Sequence, residues 1–216
     1  MIRPLVALAG IACLALTGCG EPPARGKGVY MLLDTSGTYT REIEKAQQII
    51  NVVLSRLNPG DSFAVARIDT ASFSERDIVA KVTFDERPSI ANQQKRRFQD
   101  SIKHFVKSVR SASFTDITGG MLQATEFLNE KNTGEKLILV FSDLEEDLKK
   151  GYIRDIPLTL NDFEVVALNV TKLGRDNVDP RKYMSRLQMW QSRVEEGGGE
   201  WKVINDLDHI DRIIKG

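Results

Sequence analysis

Apolar residues recur along this chain in two alternating rhythms. From residue 28 onward, short continuous apolar runs are separated by longer stretches in which apolar residues return every three or four positions. The runs at 29–33, 63–68, 78–84, 137–141, 165–170 and 201–204 predict six strands, the first of them buried on both faces. The helical rhythm covers 40–57, where Ile43, Ala46, Ile50, Val53 and Leu57 share one side. It returns in a long helix from Pro88, through Phe98, Ile102, Phe105 and Val109. It returns again at 116–130, through Ile117, Met121, Ala124 and Leu128. Asp179-Pro180 opens a further helix as cap and first residue, with Tyr183, Leu187, Trp190 and Val194 along its apolar side. Leu207, Ile210 and Ile214 predict a terminal helix.

Breakers fall where these patterns require them. Asn58-Pro59-Gly60-Asp61 stops the first helix, and Gly197, Gly198 and Gly199 stop the one before the last strand. Strands alternating with helices predict an α/β fold, a doubly wound, mostly parallel six-stranded sheet with helices on both faces. The link between 63–68 and 78–84 is too short for a crossover helix, and Lys81 interrupts the second run. That pair is expected to be antiparallel, with 78–84 at the sheet edge. The segment Asn132-Thr133-Gly134-Glu135-Lys136 lacks the spacing of a phosphate loop and reads as a turn.

The amino terminus follows a different pattern. Arg3 precedes an apolar stretch over 5–16 that is too short to span a bilayer, which is the layout of a secretory signal. It ends in Leu16-Thr17-Gly18-Cys19, which resembles the lipobox of bacterial lipoproteins. The resemblance implies cleavage before Cys19 and a lipid on its sulfur. The expected organisation is a signal peptide over 1–18, a lipidated cysteine and tether over 19–27, and one domain over 28–216. Gly20, rather than aspartate, implies delivery to the outer membrane, facing the periplasm. Cys13 leaves with the signal and Cys19 carries the lipid, so no disulfide is expected and the core must supply stability.

Composition adds one exclusion. Hydrophobic residues make up 41% of the 216, ordinary for a globular core. Thirty lysines and arginines balance thirty aspartates and glutamates, which argues against nucleic acid as the main partner.

The candidate chemistry lies just past the first strand, in Asp34-Thr35-Ser36-Gly37-Thr38. In an open α/β sheet, ligands bind beyond the carboxyl ends of strands. Asp143 follows the run 137–141 and faces the same crevice if those strands are neighbours. Carboxylates and hydroxyls without histidine or thiol are hard oxygen donors suited to magnesium, manganese or calcium. Taken alone, these residues could equally cap the helix that follows.

The pattern Asp34-x-Ser36-x-Thr38 resembles the metal-ion-dependent adhesion site of the von Willebrand factor A family, with threonine as its last hydroxyl. Thr115, in Phe114-Thr115-Asp116-Ile117-Thr118-Gly119-Gly120, resembles that family's loop threonine. Asp143, in Leu139-Val140-Phe141-Ser142-Asp143, resembles its second aspartate. The stretch Gly198-Gly199-Glu200-Trp201-Lys202-Val203-Ile204 resembles the end of such a domain. The resemblance implies a Rossmann-like fold and a divalent cation, Mg2+ foremost with Mn2+ or Ca2+ as alternatives. Ser36 and Thr38 would touch the ion, Thr115 directly or through water, and Asp34 and Asp143 mainly through water. An acidic residue of a protein partner would complete the coordination, and no catalysis is implied. Leu144 stands where the family usually has glycine, and Glu145, Glu146 and Asp147 follow it. This acidic stretch could repel an acidic partner or supply ligands, or 145–150 could simply be the solvated start of a helix.

Two other readings compete. The Asp34 loop also resembles the nucleophile loop of haloacid dehalogenase-like phosphohydrolases, but Ser36 stands where their general acid belongs. A metal-free structural anchor is the third. His104 and His209 lack partners at ligand spacing, and no Ser-His-Asp arrangement is present. Lys95-Arg96-Arg97 is expected on the solvated side of the long helix, where contact with anionic lipid is conceivable for a tethered domain.

Overall fold

The computed structural model describes residues 25–37, 42–68, 74–171, 177 and 179–205. The signal segment, Cys19, Gly20, Thr38, His209 and the expected helix through Leu207, Ile210 and Ile214 lie outside the described residues.

Six strands form one sheet: β1 (Arg25–Leu33), β2 (Ser62–Arg67), β3 (Ile78–Thr83), β4 (Thr133–Phe141), β5 (Phe163–Leu168) and β6 (Glu200–Ile204). Their order is β3-β2-β1-β4-β5-β6, and every pairing is parallel except β2 with β3. The expected doubly wound α/β sheet with one antiparallel edge strand is the fold observed. The helices are α1 (Ile43–Arg56), α2 (Pro88–Ser108), α3 (Ile117–Glu130) and α4 (Pro180–Glu196).

The unbroken apolar runs are explained by burial on both faces. Alternation along β1 sends Val29, Met31 and Leu33 into one core with α1 and α2 residues such as Ile50, Val53, Phe98 and Ile102. Tyr30 and Leu32 enter a second core with Met121, Ala124, Leu128 and Trp190 of α3 and α4. β4 divides likewise, with Leu137, Leu139 and Phe141 on the first side and Ile138 and Val140 on the second. α3 lies close on β1 because Gly120 has no side chain. A Cβ there would come within 2.6 Å of Ile68 and 2.9 Å of Leu32.

Four sequence expectations change. β1 opens at Arg25, so 25–27 belong to the sheet and not to a tether. Residues 133–136 are strand rather than turn, because they pair with those same first residues, Arg25 opposite Thr133 and Lys27 opposite Glu135. Lys95 does not lie on the solvated side of α2. Its ammonium donates to the Leu57 carbonyl and sits 5.5 Å from the centre of the Phe84 ring. Finally, 145–150 does not begin a helix. The whole β4–β5 connection, 142–162, contains none. A parallel crossover is usually helical. Here an extended strap fills that place, burying Leu144, Leu158 and Leu160 between α3 and α4.

Candidate metal centre

The strand order reverses direction between β1 and β4, which puts the crevice at their carboxyl ends. Leu33 pairs with Phe141 in register, so Asp34 and Ser142 leave the sheet side by side. The Asp34 amide donates to the Phe141 carbonyl at 3.0 Å, which extends the ladder by one bond and fixes the carboxylate over the crevice.

Asp34 is only 1% exposed. Its Oδ1 accepts the Ser36 amide at 2.8 Å, and its Oδ2 accepts the Ser142 hydroxyl at 2.7 Å. The Ser36 and Thr115 hydroxyls stand close enough to this carboxylate to favour its ionised form. Burial pushes the Asp34 carboxyl above the usual carboxylate range, and Ser36, Ser142 and Thr115 pull it back. Among the described residues, no lysine or arginine forms an ion pair with it.

Thr115 reaches Asp34 through backbone pairing. Its amide donates to the Asp147 carbonyl at 2.8 Å, and the Asp147 amide donates back at 3.0 Å. Next along the chain, Asp116 caps α3 by accepting the Gly119 amide at 2.7 Å, and its own amide donates to the Ile68 carbonyl. On the other side of the crevice, the Ala112 amide donates to the Thr35 carbonyl at 2.8 Å. The Asp34 loop is thus held between the loop before α3 and the end of β4.

Asp143 stands one residue beyond Ser142, 5% exposed, with Oδ1 accepting the Glu145 amide at 2.9 Å. Helix α4 holds the backbone here. Arg186 donates to the Asp143 carbonyl, and the Trp190 indole donates to the Leu144 carbonyl at 2.9 Å. Leu144 takes φ +66, the left-handed region that favours glycine, while its side chain is buried to 1% exposure.

Three of the five expected site residues, Asp34, Ser36 and Thr115, therefore come together, and Asp143 follows Ser142, which bonds to Asp34. Thr38 is outside the described residues. The residue missed in the sequence is Ser142. Its signal was only a hydroxyl between a strong strand and an aspartate. The helix-capping alternative for Asp34 fails on position, because α1 starts at Ile43, its cap position is Glu42, and the Asp34 carboxylate is spent on Ser36 and Ser142.

The donor set fits a divalent cation. A buried carboxylate with the Ser36, Ser142 and Thr115 hydroxyls about it, and with no lysine or arginine ion-paired to it among the described residues, gathers hard oxygen donors and negative charge at one point. The rim is of mixed sign. Glu146 is turned onto the Thr118 amide at 2.7 Å and lies 3.8 Å from Arg193. Across the crevice, a groove of about 420 Å³ is lined by Arg67, Phe105, Arg110, Ser111 and Phe114.

No protein-family model matches the chain, and no curated protein matches it in sequence. Solved structures do match. A von Willebrand factor type A protein from Catenulispora acidiphila aligns with TM-score 0.53 at 12% identity, over 88% of this chain and 41% of that one. BatB, a conserved hypothetical protein from Bacteroides thetaiotaomicron, aligns with TM-score 0.51 at 16% identity, over 88% and 95%. The pilus adhesin SpaC from Lactobacillus rhamnosus GG, in an open conformation, aligns with TM-score 0.56 at 10% identity, over 89% and 29%. The chain spans under two thirds of the first and third of these proteins. At such identities the likeness is one of fold.

Proposed function

We propose that this chain, which has the von Willebrand factor A fold, is a membrane-anchored binding module that engages a protein partner in the cell envelope through a divalent cation. Ser36, Thr38 and Thr115 would hold the ion, with Asp34 and Asp143 balancing its charge from a second layer. The observation that carries this reading is the buried Asp34 carboxylate, which takes the Ser36 amide and the Ser142 hydroxyl and, among the described residues, forms no ion pair with a lysine or arginine. Mg2+ fits these oxygen donors best, with Mn2+ or Ca2+ as alternatives. Few direct anionic ligands leave the ion electrophilic, so a carboxylate of the partner would complete its shell.

Glu146, turned onto the Thr118 amide and 3.8 Å from Arg193, and Arg110 in the groove across the crevice support an acidic partner in spite of the stretch after Asp143. The Leu16-Thr17-Gly18-Cys19 motif supports a lipid anchor on Cys19, at the outer membrane and facing the periplasm. Binding rather than catalysis is supported by Asp34 itself. A nucleophile needs an accessible oxygen, yet this carboxylate is 1% exposed and both its oxygens accept hydrogen bonds.

Titration calorimetry of the full chain with MgCl2 and MnCl2 tests the cation. Heat of binding is expected, with affinity about tenfold or more weaker in Ser36→Ala. No heat with either ion, or unchanged affinity in Ser36→Ala, overturns the reading. A co-purifying partner is expected to dissociate in EDTA.

A further inference from the structure

The strap between β4 and β5 starts in the candidate cation site at Ser142 and Asp143 and returns to it through the backbone exchange between Asp147 and Thr115. A two-bond bridge is too little to hold an extended segment in register. Besides its buried leucines and the Trp190 bond to Leu144, a set of charged contacts on α3's first turn fixes it. Arg154 lays its guanidinium on Asp116, with Nε 3.2 Å from Oδ1 and 3.0 Å from Oδ2, and Nη2 2.8 Å from Oδ2. Arg193 of α4 donates to the Thr118 hydroxyl at 2.9 Å and to the Arg154 carbonyl at 3.4 Å.

Asp116 does not need Arg154 to cap α3. One carboxylate oxygen suffices, and Oδ1 already accepts the Gly119 amide at 2.7 Å. Asp116 is 1% exposed and the Arg154 side chain 16%, so pairing them required removing both charges from water. A buried pair of this kind contributes little net stability against an apolar replacement. Its bidentate geometry, however, allows only one placement of the two groups. Asp116 follows Thr115 in the chain, and its amide donates to Ile68, whose own amide donates to Leu33, so that placement also sets where Thr115 stands beside Asp34.

We propose that Arg154 is a positioning residue for the cation site: its fork on Asp116, with the Thr115–Asp147 pair, locks the strap and holds Thr115 in place beside Asp34. This deepens the cation-binding reading and rests on it for its effect on affinity. The lock itself is a property of the metal-free chain.

The test uses the full chain and the variants Arg154→Met, which keeps the stem and loses the fork, and Arg154→Lys, which keeps the charge. Mg2+ affinity is measured by calorimetry, and amide hydrogen exchange at Thr115 and Asp147 is measured in EDTA. Arg154→Met is expected to bind Mg2+ about tenfold more weakly and to exchange both amides about tenfold faster, with Arg154→Lys between it and the parent. Ile102→Val, a core change on the other face of the sheet, is expected to lower the melting temperature without altering affinity. If Arg154→Met does not fold, Arg154→Lys carries the test with a loss of about threefold in both readouts. Parent-like exchange at Thr115 and Asp147 in the folded variants overturns the proposal, as does parent-like affinity where the parent binds Mg2+. If the parent binds no cation, the cation reading fails alone, and faster exchange in Arg154→Met still sustains the lock.

Discussion

The Ser142 hydroxyl donates to Asp34 Oδ2 at 2.7 Å, joining residues 108 positions apart at the reversal of the sheet. This bond favours the ionised carboxylate, the form a cation needs. Hydrogen bonds to charged groups are worth about 1.5–3 kcal/mol. Ser142→Ala is therefore expected to weaken Mg2+ binding by about tenfold, measured by calorimetry, while α1 and α2 pack unchanged. Equal affinity in parent and variant would remove Ser142 from the site.

Asp34 makes the metal-free protein sensitive to pH. Its folded-state pKa is raised by burial above the unfolded value, so the fold holds this proton more tightly than the unfolded chain does. Its contribution to stability is complete below the unfolded pKa of about 3.9 and is lost as pH rises through the raised folded value. In EDTA at neutral pH, Asp34→Asn is expected to be the more stable protein. The stability difference between parent and variant should shrink as pH falls toward about 4. Urea unfolding of both across that range measures it, and a difference independent of pH would contradict it. Added Mg2+ should stabilise the parent and leave the variant unchanged.

Leu144 combines a buried side chain with a left-handed backbone. The backbone costs about 1–2 kcal/mol in any residue with a Cβ. Leu144→Ala loses the buried side chain and keeps that cost, whereas Leu144→Gly loses the side chain and sheds it. Both are expected to be less stable than the parent by about 2–5 kcal/mol, but glycine should be better than alanine by about 1 kcal/mol. That reverses the usual order, and denaturant midpoints at constant slope decide it.

The sheet was legible because strands buried on both faces leave unbroken apolar runs. β1 and β4 show this best, and their ends could be matched to Asp34 and Asp143 before any contact was known. The resemblance of Asp34, Ser36 and Thr115 to an adhesion-site motif led to the same fold that the solved structures show. What escaped depends on register and distance. Residues 133–136 are polar because they pair at the rim of the sheet with 25–27, and polarity reads as turn. Ser142 matters only because Leu33 lies opposite Phe141. The acidic run after Asp143 has no periodicity. Its extended form is imposed by Thr115, and no local spacing records that Arg154 answers Asp116 38 residues away.

The helix-free strap has a consequence for how the molecule assembles. A crossover helix brings its own ladder of hydrogen bonds and can form early, whereas this segment takes its order from α3, α4 and the Asp34 loop. Such contacts form only after distant parts of the chain have met, so the strap is expected to dock late, beyond the folding barrier. Weakening it then speeds unfolding and leaves the folding rate nearly untouched. On that order of events the lifetime of the native state is expected to depend on the corner beside Thr115, and a ligand that tightens that corner to lengthen it.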